Sequence, residues 1–600
     1  MPSPTRLSLL SSAVLAFLAS CGSAAAITNY TTVPSVKVKN GTYTGVYLPN
    51  FDQDIFLGIP YSYPPVAPFR FLPARPLLNE TWAGTRNASN YGHTCPSAYA
   101  TDLALGYGMS EDCLFLNVVR PSSRPATNLP VLFWIHGGSY QTGASSLPNY
   151  NLTYIVERSV EIGSPIVAAS VNYRKGPWGL MYGDEIKKEG NENLAIKDVQ
   201  LALRWVKENI AAFGGDPEKV TIQGESSGSF MVGQLIVAGA GKTEQLFHQS
   251  IQESGSASTG TYNTTEWYEP KFQFILNYTN CDSLACLRHL PYETLYPALN
   301  GSVSGSWYPV LDPVLFPEHP AKLLSTGQYH RISSIDGVNS DEGTDNAVLG
   351  IDDEVGLTAH LTTVGNPVMT PENVATLLNI YSLVNYSDPS PYGIPFDTAV
   401  DPVALGLHLG LQYKRQAAIV GDLYYHGTLL HDAELYSENS APGKPIYVYR
   451  FDTLPWNYTS NSFEVFSQLA NASSGAGKAY TNSYKGVAHF SETPFVFNNP
   501  SFYGPDPSYA ALAKQISAFW INFVSYGNPT PAGNGSSVTW EPYYIPVANE
   551  TAKAKADNDI VGKIMVMRTE ERGGCTMGKN DWRLAGREFF VKKYRQVYGE

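Results

Sequence analysis

The sequence predicts an α/β protein: a mostly parallel central sheet flanked by helices on both faces. Two continuous apolar runs of strand length, then a helix-spaced stretch, then another short strand follow one another along the chain. Such alternation favours parallel pairing, in which both faces of each strand are buried. With 600 residues and no repeat or low-complexity linker, the chain can bury a large core, and residues 27–600 are expected to form a single domain.

Taken in order, residues 1–26 read as a secretory signal. Arg6 supplies a positive start, Leu7 to Leu18 an apolar stretch, and Ser23-Ala24-Ala25-Ala26 a small-residue cleavage site. The apolar stretch is too short to span a bilayer. Leu18-Ala19-Ser20-Cys21 also resembles a bacterial lipoprotein box, but the preferred reading removes Cys21 with the signal. No later run suggests a stable membrane anchor, and the polar C-terminus does not read as a lipid-anchor signal. The net charge of −13, with no block of basic residues, argues against nucleic acid as a partner.

Export agrees with thirteen glycosylation sequons, at Asn29, Asn40, Asn79, Asn87, Asn151, Asn263, Asn277, Asn300, Asn385, Asn457, Asn471, Asn534 and Asn549. It also agrees with the cysteines. Cys95 with Cys113 and Cys281 with Cys286 are the economical disulfide pairs, although connectivity does not follow from spacing alone. The first would close a loop of about 17 residues and contribute about 3 kcal/mol. Cys575 is left over and reads as a buried, inert thiol.

Pro130 to Ile135 and Pro165 to Tyr173 are the two apolar strand runs. Leu194, Ile196, Val199, Leu203, Val206 and Ile210 recur at helical spacing, and Gly214-Gly215-Asp216-Pro217 ends that helix. Val220-Thr221-Ile222 is a short buried strand, and Gly224-Glu225-Ser226-Ser227-Gly228 follows it directly. This G-x-S-x-G pattern suits a sharp strand-to-helix turn. Small flanking residues avoid collision there, and Ser226 is presented as a nucleophile. His136-Gly137-Gly138-Ser139-Tyr140 follows the first strand. Backbone N–H groups of Gly138 and Ser139, joined by that of Ser227, can aim at a developing oxyanion. His136 itself is expected to pack or orient the loop.

These segments, with Asn172-Tyr173-Arg174, Phe213-Gly214-Gly215-Asp216-Pro217 and Glu111-Asp112-Cys113-Leu114, resemble the type-B carboxylesterases and lipases, a family that includes cholinesterases and secreted fungal lipases. The resemblance spans nearly the whole chain after the signal. It implies the α/β-hydrolase fold, ester substrates and a catalytic triad in the order Ser, Glu, His; with no His-Glu-x-x-His, phosphate loop or dinucleotide fingerprint in the sequence, no metal and no cofactor are expected. Glu342, in Gly337-Val338-Asn339-Ser340-Asp341-Glu342-Gly343, matches the family's acid. His489, in Gly486-Val487-Ala488-His489, matches its histidine. Asp341 reads as a bystander. A buried carboxylate without a partner is costly, so Glu342 is expected to bond His489.

The sequence departs from the family at Ser139, where a third Gly is usual, and at Ser227, where Ala is usual. Both keep their N–H donors. Ala195 and Val199 also replace usual residues in the helix. A non-catalytic adhesion protein on the same fold is disfavoured because Ser226, Glu342 and His489 are all present. The segment enclosed by Cys95 and Cys113 is short and carries Gly106 and Gly108. It is a poor candidate for the amphipathic lid of a lipase, so small to medium esters are expected as substrates.

Overall fold

A computed structural model describes residues 33–78, 80–97, 108–122, 127–260, 262–382, 408–454, 485–533, 538–543 and 562–599. The signal reading, residues 98–107 of the first disulfide loop, and the sequons at Asn29, Asn79, Asn385, Asn457, Asn471, Asn534 and Asn549 lie outside these.

The strands of the main sheet, in chain order, are β1 (Val46–Leu48), β2 (Gln53–Pro60), β3 (Phe115–Pro121), β4 (Leu129–Ile135), β5 (Val167–Val171), β6 (Gly215–Glu225), β7 (Gln249–Glu253), β8 (Ser333–Asn339), β9 (Ile446–Phe451), β10 (Lys563–Met567) and β11 (Thr576–Lys579). They lie side by side as β11-β10-β9-β8-β7-β6-β4-β5-β3-β2-β1. Pairing is parallel from β5 through β4, β6, β7, β8 and β9 to β10. It turns antiparallel at both edges, in β3–β2–β1 and in β11.

The two apolar runs become β4 and β5, and alternation along them assigns each side chain to one of two cores. Val131, Phe133 and Ile135 join the cluster containing helices α2 (Leu194–Asn209) and α3 (Ser227–Val237). Leu132 and Trp134 face the opposite cluster, with α1 (Leu152–Glu161) and α8 (Pro507–Tyr526). A third apolar cluster is built by helices α4 (Glu354–Leu361), α5 (Pro371–Ile380), α6 (Tyr413–Gly421) and α9 (Leu584–Tyr598). Between α6 and helix α7 (Gly427–Glu438) the chain makes a π-turn, Asp422–His426. Such wide turns recur near functional sites.

Cys95–Cys113 and Cys281–Cys286 are bonded, and Cys575 is a buried thiol pushed up to about 12 by its burial. Among the described residues no helix is long and apolar enough to cross a membrane. None of their His, Cys, Asp and Glu side chains form a group of three or more that could hold a metal ion. Asn87 and Asn277 are exposed, and Asn151, Asn263 and Asn300 are partly so. Asn40 points inward, with its Nδ2 donating to Leu77 O at 2.5 Å and Glu80 O at 2.7 Å.

Candidate active site

The end of β6 passes directly into α3, and the link is Ser226. Its φ of 55° and ψ of −127° place a non-glycine residue in backbone space that L side chains rarely occupy. The flanking glycines explain how the turn is tolerated. A Cβ on Gly224 would lie 2.4 Å from the Gly228 carbonyl carbon, and one on Gly228 would lie 2.2 Å from Ile135 O. Strand, turn and helix thus touch through bare backbone, and Ser226 is held at the C-terminal edge of the parallel strands.

The segment expected to form the oxyanion hole packs against this turn from the end of β4. A Cβ on Gly137 would lie 2.6 Å from Glu225 O and 3.0 Å from Ser226 Cβ. Gly138, Ser139 and Tyr140 all have positive φ, at 112°, 55° and 60°. This coil is pinned by hydrogen bonds. Gly176 N–H donates to Tyr140 O at 2.6 Å, and Tyr140 N–H donates to Ser227 Oγ at 3.0 Å. Ser227, where the resembling proteins usually have Ala, therefore ties the oxyanion segment to the first residue of α3. His136 stacks on Tyr173 with ring centroids 4.4 Å apart, and Tyr173 Oη donates to His136 O at 2.7 Å.

Glu342 begins a 3₁₀ turn just after β8 and is fully buried. Its Oε1 accepts from Asn339 N–H at 2.6 Å and from Ser254 Oγ at 2.5 Å. Its Oε2 accepts from His489 Nδ1 at 2.6 Å. That bond fixes the ring and leaves Nε2 as the free face of the imidazole. His489 Nε2 lies 3.2 Å from Glu225 Oε1, the carboxylate of the residue preceding Ser226. Neither atom has a hydrogen-bond partner among the described residues, so no His489–Ser226 hydrogen bond is formed. Catalytic hydrogen bonds are often loose without substrate and tighten when it binds.

Electrostatics concentrate here. Burial alone would lower the His489 ring, but Glu225, Glu342 and the Glu342 hydrogen bond outweigh it and carry it up to about 10. Burial pushes the Glu225 carboxyl well above the usual carboxylate range, with His489 pulling it back. The two directions compete for one proton. A charged Glu225 favours the imidazolium, whereas burial favours the neutral Glu225 acid. Behind Glu342, burial pushes Glu492 up to about 7. Asn339 Nδ2 donates to its Oε2 at 2.7 Å, and Tyr449 Oη donates to its Oε1 at 3.2 Å.

The structure thus brings Glu342 and His489 into contact and sets His489 against the residue beside Ser226. It also sets the Gly138–Ser139 segment against the Ser226–Ser227 turn. Sequence reasoning passed over Glu225, Ser254, Asn339, Glu492 and Tyr425. Tyr425, on the π-turn, lies over His489 with ring centroids 4.7 Å apart. Glu225 and Asn339 carried a signal, their places inside the G-x-S-x-G motif and the Gly337–Gly343 segment. The others meet the site through the fold.

Comparison with known proteins agrees with this architecture. Residues 32–569 match the family model described as "Carboxylesterase family". Secreted lipase 1 of Botryotinia fuckeliana is 30% identical, covering 85% of this chain and 87% of its own. An inactive carboxylesterase-like protein, VdtD of Byssochlamys spectabilis, is 28% identical, covering 84% of this chain and 86% of its own. Among solved structures, Aspergillus niger EstA superposes with a TM-score of 0.74 at 24% identity, covering 95% of this chain and 99% of EstA. A family match over nearly the full length, on a sheet and turn of this form, places the chain in the carboxylesterase family: it is a carboxylic ester hydrolase with the α/β-hydrolase fold.

Proposed function

We propose that the protein is a secreted serine esterase that hydrolyses small to medium carboxylic esters through an acyl-enzyme. Ser226 Oγ attacks the ester carbonyl carbon while its proton passes to His489 Nε2. The carbonyl oxygen becomes an oxyanion held by the N–H groups of Gly138, Ser139 and Ser227. Collapse expels the alcohol, which takes the proton from His489. Water, deprotonated by His489, then attacks the acyl carbon; collapse breaks the bond to Ser226 Oγ, which takes the proton back from His489 as the acid leaves. Glu342 holds the ring and stabilises the imidazolium. Each oxyanion donor is worth about 3–4 kcal/mol of barrier.

The observation that carries this reading is the 2.6 Å Glu342–His489 bond, with the opposite nitrogen of the ring turned toward the strained turn that bears Ser226. Relatives named as secreted lipases support export. Replacement of Ser226 tests the serine-esterase reading. Ser226→Ala should fold normally, lose organophosphate labelling, and lower kcat on p-nitrophenyl butyrate by about a millionfold. Labelling at another residue, or undiminished turnover, would reject the assignment.

A further inference from the structure

We propose that Asp341 is a positioning residue, which clamps the chain carrying His489 onto the turn carrying Glu342. The inference rests on the triad reading above. Glu342 and His489 are 147 residues apart in sequence, so covalent connection does nothing to fix their separation. Their immediate neighbours do. Asp341 N–H donates to Val487 O at 2.9 Å, and Val487 N–H donates back to Asp341 Oδ2 at 2.9 Å. The ring closed by these two bonds lies one residue from the acid and two from the base, and both partners are buried.

The fit between them is tight. Gly486 has a φ of +66°, and a Cβ there would lie 2.3 Å from Asp341 Oδ2. Only a glycine lets the carboxylate approach this closely. The other end of the turn makes a second attachment, with Lys485 Nζ 2.9 Å from Asp345 Oδ1. The turn is itself braced. Thr344 Oγ1 donates to Asp341 O at 2.8 Å, and Ser340 Oγ donates to Asp452 Oδ1 at 2.6 Å. Val487 and Phe490 are anchored in the core and Lys485 is paired with Asp345; Asp341 adds the paired bonds to Val487 that fix where His489 meets Glu342. A displacement of about 1 Å at a catalytic group can cost a hundredfold in rate.

Three variants of the full-length protein test this, each read by steady-state kinetics and by hydrogen exchange of the 485–490 backbone. Asp341→Ala removes the acceptor for Val487 N–H. It should lower kcat about 10- to 100-fold with KM nearly unchanged, and speed exchange at Val487 at least tenfold. Asp341→Asn keeps an oxygen at the same place and should recover most of kcat and of the protection. Gly486→Ala leaves Asp341 in place but drives a methyl into its carboxylate, and should reproduce the loss; this variant decides the matter if Asp341→Ala fails to fold. Unchanged kcat and unchanged Val487 exchange in Asp341→Ala or Gly486→Ala would overturn the proposal, as would a loss in Asp341→Asn equal to that in Asp341→Ala. The exchange readout does not depend on turnover. A wild-type protein that hydrolyses no ester yet shows this exchange pattern refutes the esterase reading and keeps the clamp.

Discussion

Glu225 is joined by a peptide bond to Ser226 and lies 3.2 Å through space from His489 Nε2, the nitrogen that accepts the serine proton in the proposed mechanism. A negative charge there stabilises the imidazolium, which helps once the proton has moved and hinders it beforehand. The sign for pH dependence follows. Activity needs His489 neutral, and Glu225 raises its affinity for the proton, so Glu225 holds the acid limb of kcat/KM at higher pH. Glu225→Gln removes that charge while keeping the shape, and the acid limb should move to lower pH. A limb that stays in place would mean that Glu225 is already protonated throughout the working range, as its burial favours. Another residue-scale expectation concerns Asn40. Its Nδ2 serves two carbonyls in a buried position, and a glycan there would sacrifice about 1–3 kcal/mol for each donor or acceptor left unpaired. Peptide mapping of protein expressed through a eukaryotic secretory pathway should find Asn40 unmodified. A glycan at Asn40 in correctly folded protein would contradict this.

Among the elements, the β6–turn–α3 unit carries the most constraint for its length. The start of α3 rests on the end of β4 so closely that Gly228 faces Ile135 O with no room for a methyl. Gly228→Ala should therefore destabilise the fold by about 3 kcal/mol, read as a lower thermal midpoint, and reduce activity in step, because the strand-to-helix geometry opens. An unchanged midpoint would show that the helix can slide, against the packing described. This unit was legible in the sequence because everything it needs is local: an apolar run, small residues at fixed offsets, and helical spacing after them. The same is true of β4, β5 and α2, whose apolar residues are continuous or periodic. Predicted strand 165–173 shortens to Val167–Val171, and predicted strand 220–222 extends to Gly215–Glu225, because pairing with neighbours sets strand ends. The antiparallel edge strands β1 and β2 and the third helical cluster escaped notice. Their burial comes from partners distant in sequence, so no run or period announces it. The Asp341–Val487 bonds and the Ser254 contact to Glu342 were hidden for the same reason. Asp341 looked like a bystander because its partner is a backbone amide 146 residues away.

At the scale of the whole molecule the open choice is between free ester molecules and an oil surface, and two properties of the chain bear on it. The first is the segment enclosed by Cys95 and Cys113, a disulfide that the structure forms. A lipase gains from an interface when a lid exchanges a water-exposed apolar face for a lipid-exposed one, and the gain is limited by the differential area the lid presents. With 17 residues between the cysteines and glycines at 106 and 108, this segment can offer little of a one-sided apolar helix. The second is charge. The chain carries a formal −13, and hydrolysis of an emulsified long-chain ester releases fatty acid that ionises at the oil surface. The interface grows more negative as the reaction proceeds, and like charge opposes adsorption of an acidic protein. Both effects act in the same direction. The rate on tributyrin should rise smoothly toward saturation and pass the solubility limit without a step. Added salt should leave the rate on dissolved ester nearly unchanged, since a neutral substrate reaching a buried serine is not steered by the surface field. A sharp rise in rate at the onset of emulsion would instead assign the protein to the interfacial lipases, as the names of its fungal relatives allow.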